Sequence, residues 1–189
     1  MSAWVDLVET RTRLWVTADH HFGHANIVAY AGRPFPADRQ DQEMAKRWRE
    51  TVPEDEPLLH LGDLVVGSNP AVWDLVPTLP GKPKWLVLGN HDRPHRHALI
   101  EAAGFIIVDP VEIQHRGWLV RMTHRPIPAA GLGLHELNVH GHTHSRLAAA
   151  DARWINVSVE ATEYRPIRLL DLVDARLRQL SSVEVSLGG

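Results

Sequence analysis

The 189-residue sequence contains no cysteine. That excludes disulfides, thiolate-held iron–sulfur or zinc sites, and thiol redox chemistry. No run approaches the ~20 consecutive apolar residues that a membrane helix requires. An excess of positive charge is missing too. Lys and Arg number 20 against 23 Asp and Glu, a net charge of −3, so no bulk basic field marks a nucleic-acid binder. At the N-terminus Asp6 and Glu9 stand where a secretory signal would carry an apolar segment. Repeats, low-complexity tracts and linkers are absent. The expectation is one cytoplasmic domain spanning residues 1–189, with no membrane partner and an oligomeric state left open. Trp4 is a candidate interface residue, but a single aromatic is weak ground.

What the chain has in excess is histidine, 13 in all, far more than packing needs. Many of them follow short apolar runs. Residues 14–18, 57–61 and 84–88 read as strands. They alternate with helical patterns: 38–51, with Asp38 as a possible N-cap, 70–76, started by Asn69 and Pro70, and 94–103, stopped by Gly104. The second half is mainly β-type, with strands expected at 105–108, 111–115, 118–123, 137–140 and 154–159 and a loop at 126–135. Residues 166–180 fit a helix, with a strand as the alternative. Helices and strands alternating first, then mostly strands, imply an α/β layered domain of two packed sheets flanked by helices. Ligands in such folds sit beyond the carboxyl ends of the strands.

Polar residues cluster at those ends. Asp19-His20-His21 follows the first strand, and strand alternation puts Asp19 and His21 on one side. Gly62-Asp63 follows the second; a carboxylate there has two oxygens with which to bridge two ions ~3.5–4 Å apart. Gly89-Asn90-His91-Asp92 follows the third. Asn90 offers a neutral carbonyl ligand, while His91 faces elsewhere and suits a substrate-directed acid. Asp92 is expected to accept a hydrogen bond from the His91 imidazole. His124 ends another strand, and Gly141-His142-Thr143-His144 repeats the i,i+2 spacing. Carboxylate, carboxamide and imidazole donors without thiolate suit divalent Mn, Fe, Zn or Ni. His20 and His60 are expected to point away from the ions.

The ordered series Asp19-x-His21, Gly62-Asp63, Gly89-Asn90-His91-Asp92, His124 and Gly141-His142-Thr143-His144 resembles the calcineurin-like metallophosphoesterase superfamily. The phrases from His21 to Ile27 and from Asn156 to Glu160 are similar to a small phage-type bacterial branch of it. The resemblance implies a four-layer α/β/β/α sandwich of two mixed sheets. It also implies two ions, one held by Asp19, His21, Asp63 and His144, the other by Asp63, Asn90, His124 and His142, bridged by Asp63 and a hydroxide.

The chemistry expected is attack of that hydroxide on a phosphodiester, with His91, held by Asp92, assisting the leaving group. His24, Asn26, Arg33 and Arg125 are candidate contacts to the substrate phosphate, each with a surface or structural role as the competing reading. Substrates are phosphate esters, nucleotides or nucleic acid among them. The alternatives are a phosphomonoesterase, a nuclease acting on DNA or RNA, and a non-catalytic metal-binding scaffold.

Overall fold

A computed structural model describes residues 11–67, 69–145 and 151–187; Trp4, Asp6 and Glu9 lie outside them. In chain order the elements are β1 (Trp15–Thr17), α1 (Ile27–Ala31), α2 (Gln40–Thr51), β2 (Leu58–His60), α3 (Val72–Leu75), β3 (Lys84–Val87), α4 (His97–Ala102), β4 (Phe105–Val108), β5 (Val111–His115), β6 (Trp118–Thr123), β7 (Glu136–His140), β8 (Trp154–Asn156), β9 (Ile167–Arg168) and α5 (Leu169–Leu187). One sheet has the order β4-β3-β2-β1-β9, parallel except for the antiparallel edge strand β9. The other has the order β5-β6-β7-β8, with β5 antiparallel to β6 and the rest parallel. The fold is therefore α/β, two mixed sheets flanked by helices.

Hydrophobic patterning explains the layering. β2 and β3 are buried on both faces, as parallel strands with cover on both sides must be. Their inner residues Leu59, Trp85 and Val87 meet Val111, Val120, Met122 and Val139 of the second sheet. Their outer residues Leu58 and Leu86 pack under Met44 and Trp48 of α2, Val72 of α3 and Ile100 of α4. β5 alternates buried and exposed residues, and Glu112 on its open face pairs with Arg121 at 2.8 Å.

Several local expectations are corrected. Arg39, not Asp38, precedes α2, and no side chain caps it. Residues 166–180 hold both alternatives in succession, the short strand β9 and then α5. β8 stops at Asn156 because that side chain donates to the His144 carbonyl (2.7 Å) and accepts the Ser158 N–H (2.9 Å), drawing the chain off the ladder. Helix α1 went unpredicted: five residues with one buried side chain, Ile27, give no readable period.

Because β1, β2 and β3 are parallel, as are β6 and β7, their carboxyl ends gather at one edge. An isolated parallel bridge between Ala18 and Ser158 ties the chain just past β1 to the chain just past β8.

Candidate metal centre

The strands stop before the site begins. β1 ends at Thr17 and β7 at His140, so strand alternation does not align Asp19 with His21 or His142 with His144. Instead Asp19 (φ 62°), His21 (φ 52°), Asp63 (φ 58°), His142 (φ 68°) and His144 (φ 51°) all take the left-handed backbone conformation. Such residues cost of order 1–2 kcal/mol each and persist where the surroundings dictate them. Here the surroundings are hydrogen bonds between the loops. The Asp19 N–H donates to the Gly62 carbonyl (3.0 Å), the His21 N–H to that of Asp63 (3.0 Å), and the His142 N–H to Asp19 Oδ2 (2.7 Å). Gly62 is required beneath them: at φ +90° a methyl group there would lie 2.6 Å from both the Gly89 nitrogen and His124 Nδ1.

Two groups of donor atoms result. Asp19, His21 and His144 bring one ligand atom each to within 4.8 Å of one another, and Asp63, His124 and His142 do the same. His21, Asp63 and His91 form a third group that overlaps the first two. Asp63 lies between them. Its Oδ1 accepts the His91 backbone N–H at 2.8 Å, while Oδ2 lies 3.5 Å from both His21 Nε2 and His124 Nε2. Oδ2 is thus the oxygen that faces both groups, while Oδ1 is tied to the His91 loop. Asn90 joins the second group, its Oδ1 lying 3.0 Å from His124 Nε2.

The donor chemistry fits cations. His124 Nδ1 faces the Leu61 carbonyl at 2.8 Å, an acceptor, so the neutral ring keeps its proton on Nδ1. Its bare Nε2 then points at Asn90 Oδ1 and Asp63 Oδ2, acceptor against acceptor. Likewise His144 Nδ1 donates to Glu160 Oε1 at 3.0 Å, which leaves Nε2 for the Asp19–His21 group. Asp19 Oδ1 and both ring nitrogens of His21 are buried without a partner. Burial lifts the Asp19 carboxyl to about 8, with the Asp63 charge adding to the rise and His144 opposing it. Burial also drives the His21 imidazole far down. Unpaired acceptors converging in a dry site are stabilised by divalent ions.

His91 lies on the open side. Its side chain is 40 % exposed and its Nε2 is 4.0 Å from Asp63 Oδ2. The expectation for Asp92 is corrected. Its buried carboxylate accepts the backbone N–H groups of Asp63 (2.7 Å), Gly89 (2.8 Å) and Leu64 (3.0 Å), so it pins the Asp63 loop to the Asn90 loop rather than gripping the His91 ring. Arg33 is corrected as well. It is buried, and its guanidinium donates to Glu160, Gln40 and the carbonyls of Asp19 and His20, with nothing left for a phosphate. His24 stands 6.1 Å ring to ring from His21. Asn26 sits exposed before α1 without a side-chain capping bond. Arg125 does reach the site, donating to His142 Nε2 (3.0 Å) and Asn90 Oδ1 (3.2 Å). His20 and His60 point inward, bonded to each other at 2.9 Å beside Trp48.

The residue that sequence reasoning missed is Glu160. It sits below His144 and is held by Arg33 at 2.8 Å, so one buried carboxylate links the Asp19 loop to the His144 loop. Burial works against its ionisation, but the His144 hydrogen bond and the Arg33 charge hold it below the usual carboxylate range. No spacing rule connects it to His144; the only signal is its place in the Asn156–Glu160 phrase.

The chain is similar to several known proteins. An uncharacterized protein of Methanocaldococcus jannaschii, MJ1445, is 28% identical over 170 residues, covering 85% of this chain and 89% of the relative. The Gene 66 protein of Mycobacterium phage D29 is 36% identical over 86 residues, 44% of this chain and 42% of the phage protein. The solved structure of AQ665, a protein of unknown function from Aquifex aeolicus, superposes with a TM-score of 0.68 at 23% identity, over 86% of this chain and 98% of that one, a likeness of fold. The family model described as calcineurin-like phosphoesterase matches residues 12–146, a span that takes in both donor groups, and the chain belongs to that family.

Proposed function

We propose that the protein is a two-metal phosphodiesterase. The observation that carries this reading is the pair of donor groups meeting at the single oxygen Asp63 Oδ2. Asp19, His21 and His144 would hold one ion with Asp63, and Asn90, His124 and His142 the other. Manganese suits this oxygen and imidazole set, with iron, zinc or nickel as substitutes. Two such ions supply water activation near neutral pH and offset charge at phosphorus. The chain supplies the rest. Glu160 and the Leu61 carbonyl fix the rings of His144 and His124 so that Nε2 faces the ions. Asp92 holds the Asp63 loop in its left-handed turn. Arg125 is the cation at the mouth of the site, free to exchange its contacts with Asn90 and His142 for phosphate oxygens. The His91 imidazole is on hand to protonate the leaving oxygen.

Diester specificity is supported by the exposed His91 beside an open site rather than a closed monoester pocket. Steady-state rates with bis-p-nitrophenyl phosphate and p-nitrophenyl phosphate in Mn²⁺, with elemental analysis of the purified protein, test the reading. The diester is expected to win; monoester turnover faster by orders of magnitude would overturn it. No helix among the described residues is long and apolar enough to cross a membrane, and a cytoplasmic setting remains part of the proposal.

A further inference from the structure

An open cleft of about 700 Å³ adjoins one side of the metal centre. Leu88, Ile107, Val108 and Pro110 form its walls, at the ends of β3 and β4 and in the turn after them. It meets the site at Asn90, His124 and Arg125, the residues around the second donor group. His91 lies on the other flank, its ring 5.2 Å from that of His21 and grouped with His21 and Asp63. A phosphate centred between the groups therefore has an acid on one side and a mostly apolar cleft on the other. That layout matches two different ester groups on one phosphorus.

We infer that this cleft seats the retained ester group of the substrate, and that the group is a nucleoside. The inference rests on the diester reading above. The leaving oxygen belongs beside His91, so the group that stays on phosphorus turns toward the cleft. The volume falls in the range of small-molecule sites. Aliphatic walls cover the faces of a flat ring. Asp109, exposed at the rim, is a carboxylate acceptor for ring or exocyclic N–H. Hydrolysis adds water to phosphorus, breaks the bond to the leaving oxygen beside His91, and releases a nucleoside monophosphate from the cleft.

Two diesters with one leaving group test this: thymidine 5′-(p-nitrophenyl phosphate) and methyl p-nitrophenyl phosphate. Both release p-nitrophenolate, so their ratio of kcat/KM reports the retained group alone. The expected ratio is about tenfold or more in favour of the nucleoside, the order that burying one ring face gives. Ile107→Trp, which fills the cleft, should bring the ratio toward one, and Asp109→Ala should lower it in part; melting curves check that both variants fold. A wild-type ratio within about twofold of one, or a ratio that Ile107→Trp leaves unchanged, overturns the cleft assignment. If neither diester turns over, the diesterase reading fails separately. The cleft is then judged by calorimetry on the Mn²⁺-loaded protein. Tighter binding of thymidine 5′-monophosphate than of methyl phosphate upholds it, and equal affinity sinks it. A thymidine dinucleotide carrying the same leaving group separates the two sources of a nucleoside ester: a faster rate points to a strand end, a slower one to a free nucleotide.

Discussion

Gly141 offers a test of the first donor group by a single methyl. Its backbone lies outside the left-handed region, so alanine adds no torsional strain there. The added Cβ would sit 2.5 Å from Asp19 Oδ2 and 2.6 Å from the Ala18 Cβ. Carbon prefers neighbours at about 3.5–4.0 Å, so the carboxylate must retreat by about 1 Å. Metal–oxygen bonds tolerate changes of only about 0.2 Å, and the retreat also breaks the 2.7 Å bond from the His142 N–H. For Gly141→Ala we expect affinity for one of two ions to fall by about 100-fold or more, beyond the 10–100-fold typical of a second-layer partner. On the two-ion reading, an ion at Asp63, Asn90, His124 and His142 should largely remain. Overpacking should also cost the metal-free protein about 1–3 kcal/mol. Equilibrium dialysis against Mn²⁺ with elemental detection, beside melting curves of the chelated protein, reads both effects. A variant that keeps two ions at wild-type affinity would refute the assignment of Asp19 to the centre.

Three further outcomes follow from the same geometry. His91→Asn should retain both ions yet lose about 10²–10⁴-fold in kcat on bis-p-nitrophenyl phosphate; wild-type turnover would remove His91 from the chemistry. Asp92→Ala strands three backbone N–H groups, at about 1–3 kcal/mol for each one left buried, so its melting temperature should fall sharply even without metal. An Asp92 acting only on the His91 ring would leave stability alone. The chelated protein should be most stable near pH 6.5. Burial holds His60 at about 3, lowers His142 to about 4 and depresses His20, so below 6.5 the unfolded chain takes up protons that the folded one refuses, and stability drops with acid. Asp19 has the opposite sign. Raised to about 8, it keeps its proton when folded, so stability declines as pH rises toward 8, where Mn²⁺ should restore it by pairing the carboxylate. Melting temperatures flat from pH 5 to 8 would contradict both.

Much of the fold was legible because short apolar runs and their turn residues are local signals. The runs ending near Asp19, Asp63, Asn90 and His124 became parallel strands whose ends share an edge. Legibility failed where local signals were short or overridden. Helix α1 has too few residues to show a period. The strand expected through Val159 ended at Asn156, whose side-chain oxygen takes the Ser158 N–H away from the ladder. Arg33, a plausible phosphate clamp by residue type, is spent inside the protein because four buried acceptors claim its guanidinium.

The donor types themselves came from sequence alone. Carboxylate, carboxamide and imidazole after strand ends, with no thiolate anywhere, specify divalent-ion chemistry whatever the path of the chain between them. The tertiary structure decided how those donors face one another. Alternation predicted that Asp19 and His21 share a side, but the strand has already ended there. Left-handed turns held by inter-loop hydrogen bonds do the aligning. Only the folded chain shows that Asp63 turns Oδ2 toward both His21 and His124, that Asp92 secures backbone instead of an imidazole, and that Glu160 orients His144. Each depends on atoms brought together across many residues of sequence, where no periodicity or spacing rule reaches.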